Sequence, residues 1–241
     1  MTSPIERRAL ITGASSGIGK ATALAFAKAG IDVALVSRSQ DKLEAVATEA
    51  REAGVKAKAY ALDLAKVEQV QSGISAIATD FAPIDILVNN AGIGYTNALD
   101  QTPLSDWQHV MNLNLTSVFQ CILGVLPMMR EQQRGMIINV ASIAGLQPFP
   151  AWGAYNVSKA GLIALSKTLA AEERDRGIRV VTISPGAVNT SLWDTDTVQV
   201  DLNRSAMLTP EIVAQSILHT ALLPEQAVIE SLTLMPSAGS L

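Results

Sequence analysis

The sequence predicts a doubly wound α/β fold: a parallel sheet of about seven strands with helices on both faces. Three observations carry that prediction. Apolar, β-branched runs alternate with helical patterns along the whole chain, the order expected of repeated strand–helix–strand units. The strand candidates are continuous apolar runs, as required where helices cover both faces of a sheet. The stretches just after the strands are rich in polar residues and glycine, and open α/β sheets bind their ligands at those carboxyl ends.

The elements follow in order. A strand over 9–12 runs into Thr12-Gly13-Ala14-Ser15-Ser16-Gly17-Ile18-Gly19, and a helix over 17–29 follows, its part after Gly19 free of glycine and proline. A strand over 32–36 ends at Ser37-Arg38 before a helix over 40–53. The third strand, 57–61, leads to Asp63 and Leu64 and a helix over 65–79. The fourth, 84–88, ends in Asn89-Asn90-Ala91-Gly92 and is followed by a long helix over 105–131. The fifth, 136–141, stops at Ser142, ahead of a helix over 155–175. The sixth, 179–184, closes on Ser184-Pro185-Gly186, and a helix over 209–223 and a strand over 232–235 complete the pattern. Residues 190–207, with Trp193, Asp194, Asp196 and Asp201, show neither period. They read as an ordinary surface loop or as a flap over a site.

Composition narrows the class. With 241 residues, 49% of them hydrophobic, the chain can bury a sizeable core, and the absence of linker, repeat or low-complexity tract predicts one domain over 1–241. A net charge of −4 offers no basic surface for nucleic acid or anionic lipid. One cysteine, Cys121, excludes an internal disulfide framework; two distant histidines, His109 and His219, argue against a metal site. No uninterrupted apolar run approaches the roughly 18 residues of a membrane span, and the mixed-charge start is too short for a signal peptide. A cytoplasmic protein without a membrane partner is expected.

The glycine turn supports two chemistries. Strand, glycine turn and helix is the context in which backbone N–H groups at a helix start receive a phosphate. The same residues also spell G-x-S-x-G (Gly13, Ser15, Gly17), the nucleophile elbow of serine hydrolases. A nucleophilic Ser15 needs a histidine base, yet His109 and His219 fall inside helical patterns, away from strand ends. For a dinucleotide site, an acid about 20 residues past the turn normally binds the adenosine ribose hydroxyls. Here that strand end offers Ser37 and Arg38. A guanidinium suits a 2′-phosphate, so the pattern favours NADP(H) over NAD.

Tyr155-Asn156-Val157-Ser158-Lys159 opens a helical run, so Tyr155 and Lys159 share one face. A neighbouring ammonium favours the phenolate and makes a tyrosine a better acid/base near neutrality. Alone the spacing is weak, since many surface Tyr–Lys pairs share it. Ser142 stands thirteen residues earlier, at a strand end, placed to hydrogen-bond a substrate oxygen or simply to cap a turn.

In this order the features resemble the short-chain dehydrogenases/reductases, in their compact, single-domain branch with a Rossmann-type sheet, over essentially the whole chain. The matching elements are Thr12–Gly19, Asp63, Asn89-Asn90-Ala91-Gly92, Asn114, Ser142, Tyr155-x-x-x-Lys159, and Pro185-Gly186 with Thr190. The resemblance implies that Tyr155 is the acid/base, with Ser142 orienting the carbonyl oxygen. It implies that Lys159 holds the nicotinamide ribose and favours the tyrosinate, and that Asn114 holds a water linking Lys159 to solvent. For the cofactor, NADP(H), it implies contacts from Gly13, Ser15, Ser16, Gly17, Ile18 and Gly19, from Ser37 and Arg38, and from Asp63 and Leu64. Further contacts are implied for Asn90, Ala91, Gly92, Tyr155 and Lys159, and for Pro185, Gly186, Val188 and Thr190. It also implies a homo-oligomer, dimer or tetramer, paired through the helices over 105–131 and 155–175.

A substrate pocket is expected around Ile143, Leu146, Phe149, Trp152, Leu192 and Trp193. Three aromatics there, in a chain only 4% aromatic, favour an apolar and bulky ketone or aldehyde as the small-molecule partner. Carbonyl reductases (reversible alcohol dehydrogenases) and 3-oxoacyl-carrier-protein reductases are the nearest subgroups. Three departures place the second behind the first: Ser16 where those enzymes usually carry Arg, a weakly basic Gln132-Gln133-Arg134 turn, and a tail, 232–237, without their Gly-Gly. A retired family member that binds NADP as a redox sensor is the reading from a different class; it has no use for the intact Asn114, Ser142, Tyr155 and Lys159.

Overall fold

The computed structural model describes residues 7–200 and 203–239; residues 1–6 and Asp201 of the irregular stretch lie outside them. Among the described residues seven strands are present: β1 (Arg8–Thr12), β2 (Asp32–Ser37), β3 (Ala57–Ala61), β4 (Ile86–Asn89), β5 (Gly135–Val140), β6 (Ile178–Pro185) and β7 (Ser231–Leu234). They form one sheet in the order β3-β2-β1-β4-β5-β6-β7, and every neighbouring pair is parallel. The helices are α1 (Gly17–Lys28), α2 (Gln40–Glu52), α3 (Val67–Asp80), α4 (Leu104–Met111), α5 (Ser117–Gln132), α6 (Gly153–Glu173) and α7 (Pro210–Ala221).

Side-chain alternation sorts each apolar run onto two faces. Ala9 and Ile11 of β1 join Phe26, Leu43 and Ile217 in a core beneath α1, α2 and α7. Leu10, between them, joins Ile74, Ile122 and Leu162 beneath α3, α5 and α6. Burial on both sides is why the strands read as unbroken apolar runs.

β1 is flanked by β2 and β4, with Ile11 opposite both Leu35 and Val88. The chain therefore winds one way to β3 and returns across β1 to build β4–β7. The carboxyl ends of β1 and β4 border the resulting crevice.

The strands begin and end within two residues of their expected places. β4 starts two residues late, just after Asp85, whose carboxylate accepts from the Arg8 backbone N–H at 2.9 Å and pairs with Arg134 at 2.7 Å. The larger departure concerns the long helix expected over 105–131. Its helical backbone is continuous over Leu104–Gln132, but a π-helical turn, Asn112–Thr116, separates α4 from α5. By length and composition this stretch could cross a membrane. Half of it is buried and α5 packs on α3, so its apolar character belongs to the core. The described part of the irregular stretch holds two short 3-10 turns, Ser191–Asp194 and Arg204–Ala206.

Candidate active site

A cleft of about 520 Å³ opens along the carboxyl edge of the sheet, lined by the segments that follow β1 through β6. Its floor is the turn after β1. Gly13 adopts φ +65°, and a Cβ there would lie 2.9 Å from the Ala91 Cα. A Cβ on Gly19 would lie 2.2 Å from the Gly13 carbonyl oxygen, so only glycine lets α1 close on the turn. Thr12 joins this turn to the one after β4: its Oγ1 accepts from the Asn90 and Ala91 N–H groups at 3.0 and 3.2 Å. The Asn90 side chain donates back to the Thr12 carbonyl at 3.2 Å.

Ser16 precedes α1 in extended conformation and makes no side-chain cap. The first N–H groups of that helix therefore face the cleft without a side-chain acceptor, in the arrangement that receives a phosphate. Gly13, Ser15, Ser16, Gly17 and Ile18 line this part, as expected; Gly19 serves from behind, through packing.

At one end lie Ser37, Arg38, Asp63 and Leu64, together with Ser39 and Lys42, which the motif reading did not single out. Lys42 stands four residues past Arg38, in the first turn of α2, a spacing that could have flagged it. Among the described residues neither cation has an ion-pair partner. No carboxylate stands at the end of β2: Asp32 sits at its start, accepting from the Lys56 backbone. The positive helix end, the glycine cradle and two free cations fit a phosphorylated dinucleotide.

Ser142, Tyr155 and Lys159 meet at the other end. Ser142 leaves β5 and caps the following turn, its Oγ accepting from the Ala144 N–H at 3.1 Å. The Ser142 side chain acts to lower the pKa of the Tyr155 phenol. Desolvation acts more strongly, and the net shift of Tyr155 is upward. The Lys159 Nζ donates to the Val140 carbonyl at 3.0 Å and lies 5.7 Å from the Tyr155 ring centroid. Only 5% of Lys159 is exposed, and burial pulls its pKa down to about 8.

Asn114 does not line the cleft. It sits fully buried in the π-helical turn, behind the chemistry. Its Oδ1 accepts from the Ile93 N–H at 2.9 Å, and its Nδ2 donates to the Ile93 carbonyl at 2.9 Å and to Ser158 Oγ at 3.2 Å. The wider helical turn delivers this side chain to Ile93, beyond the reach of sequence periodicity.

Asn90, Ala91, Gly92, Pro185, Gly186, Val188 and Thr190 line the cleft where expected. So do Ile143, Phe149, Trp152, Leu192 and Trp193. Leu146 does not: it lies half exposed, outside the cleft, because the 3-10 turn Ile143–Gly145 carries it past the rim. Trp152 packs edge-on against both Tyr155 and Trp193, with ring centroids 5.3 and 5.8 Å apart. Ile93 and Val200 also reach the cleft, from irregular segments that carried no periodic signal, as does Met235, just past β7.

Comparison with known proteins agrees with this geometry. Residues 7–200 match the family model adh_short, short chain dehydrogenase. The 3-oxoacyl-[acyl-carrier-protein] reductase of Synechocystis sp. is 37% identical over 249 residues, covering 99% of this chain and 98% of that one. Its namesake from Staphylococcus epidermidis is 41% identical over 185 residues, 76% of each. An alcohol dehydrogenase from Thermococcus sibiricus, solved with 5-hydroxy-NADP, superposes with a TM-score of 0.89 at 29% identity, covering 98% of this chain and 99% of its own. A short-chain dehydrogenase from Sphingobium yanoikuyae in complex with NADPH gives 0.84 at 29% identity, covering 96% and 88%. Likeness in sequence and in backbone thus extends over nearly the whole chain and includes the crevice at β1 and β4: the chain belongs to the short-chain dehydrogenase/reductase family and is a nicotinamide-dependent oxidoreductase.

Proposed function

We propose that this chain reduces the keto group of a 3-oxoacyl thioester to the hydroxyl, with NADPH as the reductant. The observation that carries the reaction type is the cluster of Ser142, Tyr155 and Lys159 at one end of a cleft whose other end presents unpaired Arg38 and Lys42. When bound, the reduced nicotinamide supplies the hydride. Arg38 and Lys42, with the serines at 37 and 39, hold a 2′-phosphate, and the amino end of α1 holds the pyrophosphate. Ser142 orients the substrate oxygen by a hydrogen bond, and Tyr155 donates its hydroxyl proton to that oxygen. The Lys159 ammonium favours the phenolate left behind. A positioning role for Asn114 is supported by its commitment to Ile93 and Ser158, which joins the segment after β4 to α6.

The thioester reading is supported by the relatives at 37% and 41% identity, both named 3-oxoacyl-[acyl-carrier-protein] reductases. A second reading, reduction of a free apolar ketone or aldehyde, is favoured by the aromatic wall of Phe149, Trp152 and Trp193 and by the departures at Ser16 and in the tail. Exposed Leu104, Phe119 and Val157 on α4, α5 and α6 support a two-fold homo-oligomer, dimer or tetramer. The acidic net charge argues against a nucleic-acid partner.

A cofactor-oxidation assay decides between the substrates. Carrier-linked and CoA-linked 3-oxoacyl thioesters, aryl ketones, diketones and aldehydes are offered with NADPH or NADH. The thioester is expected to show the highest kcat/KM, and Tyr155→Phe should lower turnover by about 10³-fold while NADPH binding persists. A preference for free ketones promotes the second reading; no turnover with any carbonyl overturns both.

A further inference from the structure

The stretch after β6 forms a wall of the cleft without a long helix or strand, and it is tied at two points. On its return leg Arg204 directs three guanidinium nitrogens at a single neighbouring segment. Nε donates to Asn189 Oδ1 at 2.8 Å, one terminal nitrogen to Asp194 Oδ1 at 2.9 Å, and the other to the Thr190 carbonyl at 2.9 Å. Farther along, Thr197 Oγ1 donates to the Gly94 carbonyl at 2.8 Å, and the Thr96 N–H donates to the Thr197 carbonyl at 2.8 Å.

The segment under Arg204 meets both ends of the cleft. A Cβ on Gly17 would lie 3.1 Å from the Thr190 methyl carbon, so Thr190 rests on the glycine turn. Trp193 donates its indole N–H to the Val188 carbonyl at 2.7 Å and packs on Trp152, which packs on Tyr155. With side chains 36% and 63% exposed, the Arg204–Asp194 ion pair alone contributes little. The two uncharged acceptors, Asn189 Oδ1 and the Thr190 carbonyl, give the fork a different effect. A planar guanidinium satisfied at three fixed angles specifies the course of the backbone from 189 to 194.

We propose that Arg204 is a positioning residue of the active site. Its guanidinium holds residues 189–194 so that Thr190 closes on the glycine turn and Trp193 on the Trp152–Tyr155 wall. Its effect on turnover rests on the NADPH-dependent reductase function proposed above; its effect on the ligand-free protein rests on geometry alone.

The test uses Arg204→Ala, Arg204→Lys and Asp194→Asn, with Arg174→Ala as control, since Arg174 pairs with Glu230 on open surface. In ligand-free protein, acrylamide quenching of tryptophan fluorescence should rise in Arg204→Ala. The rise should disappear in a Trp193→Phe background, while the unfolding midpoint stays near that of the wild type. In turnover, KM for both carbonyl and NADPH should rise about tenfold, the equivalent of one charge-assisted hydrogen bond, with kcat changed less. Arg204→Lys should recover part of the loss, Asp194→Asn should show a smaller effect, and the control should match wild type. Wild-type quenching in Arg204→Ala, or a lowered unfolding midpoint that accounts for all lost activity, overturns the proposal. If the wild type turns over no carbonyl, the functional reading fails and the quenching result alone decides the role of Arg204.

Discussion

Lys159 shows how much of this site depends on burial. Its ammonium sits under Gly92, beside Asn114 and against the Val140 carbonyl, and desolvation lowers its pKa from 10.5 to about 8. The folded chain thus binds fewer protons than the unfolded chain between pH 8 and 10.5, so this group's contribution to stability rises with pH across that window. Below pH 8 the full cost of the buried charge is present, on the order of 3 kcal/mol. Denaturation of wild type and Lys159→Met at pH 7 and pH 10.5 should therefore show the wild type gaining on the variant at the higher pH. Parallel behaviour would show that Lys159 is solvated. The Tyr155–Lys159 pair itself was legible from spacing. Its electrostatics were not, because the groups around the ammonium come from the segment after β4, from β5 and from the π-helical turn, all remote in sequence.

Helix and strand positions were largely legible, since alternating apolar runs and the glycine turn are local signals. What escaped was the π-helical turn: one wider turn changes no hydrophobic period, and its purpose, joining Asn114 to Ile93, is a contact across 21 positions. Replacing Asn114 with Ala leaves the Ile93 N–H and carbonyl without that side chain and should cost about 1–3 kcal/mol in denaturant unfolding. Asn114→Ala with wild-type stability would show that Ile93 finds other partners. The glycines give a sharper contrast between elements. A Cβ on Gly19 meets the Gly13 carbonyl at 2.2 Å, backbone against backbone, whereas a Cβ on Gly30, just past α1 at φ +79°, meets nothing within 4 Å. Gly19→Ala should cost about 3 kcal/mol or prevent folding, because neither chain segment can yield. Gly30→Ala carries only backbone strain, about 1 kcal/mol. Equal losses in an unfolding titration would mean that α1 can shift on the turn.

At the scale of the molecule, parallel winding brings the ends of seven strands to one edge, so residues from 13 to 235 share a cleft. That convergence was readable as a rule before any coordinate. The wall formed by residues 190–200 was legible only in part: Thr190, Leu192 and Trp193 were expected at the site, but the hydrogen bonds by which Arg204 and Thr197 hold it leave no periodic trace. Leu146 shows the same limit from the other side, a residue adjacent in sequence to Ser142's turn that the turn carries out of the cleft. The arrangement makes cofactor choice measurable without any substrate. A ligand that binds only the folded state stabilises it in proportion to the logarithm of its concentration over Kd, about 2.7 kcal/mol at a hundredfold excess. The two nicotinamide cofactors differ at the 2′-phosphate, which meets Arg38 and Lys42 in the proposed pose. If two unpaired cations give NADPH a tenfold or greater advantage, NADPH should raise the unfolding midpoint above NADH by roughly 3–5 °C at equal concentration. Because neither side chain has an ion-pair partner among the described residues, the double variant Arg38→Ser, Lys42→Ser should keep the ligand-free midpoint and lose the difference between cofactors. A larger shift with NADH in the wild type would refute the assignment of this end of the cleft to a phosphate.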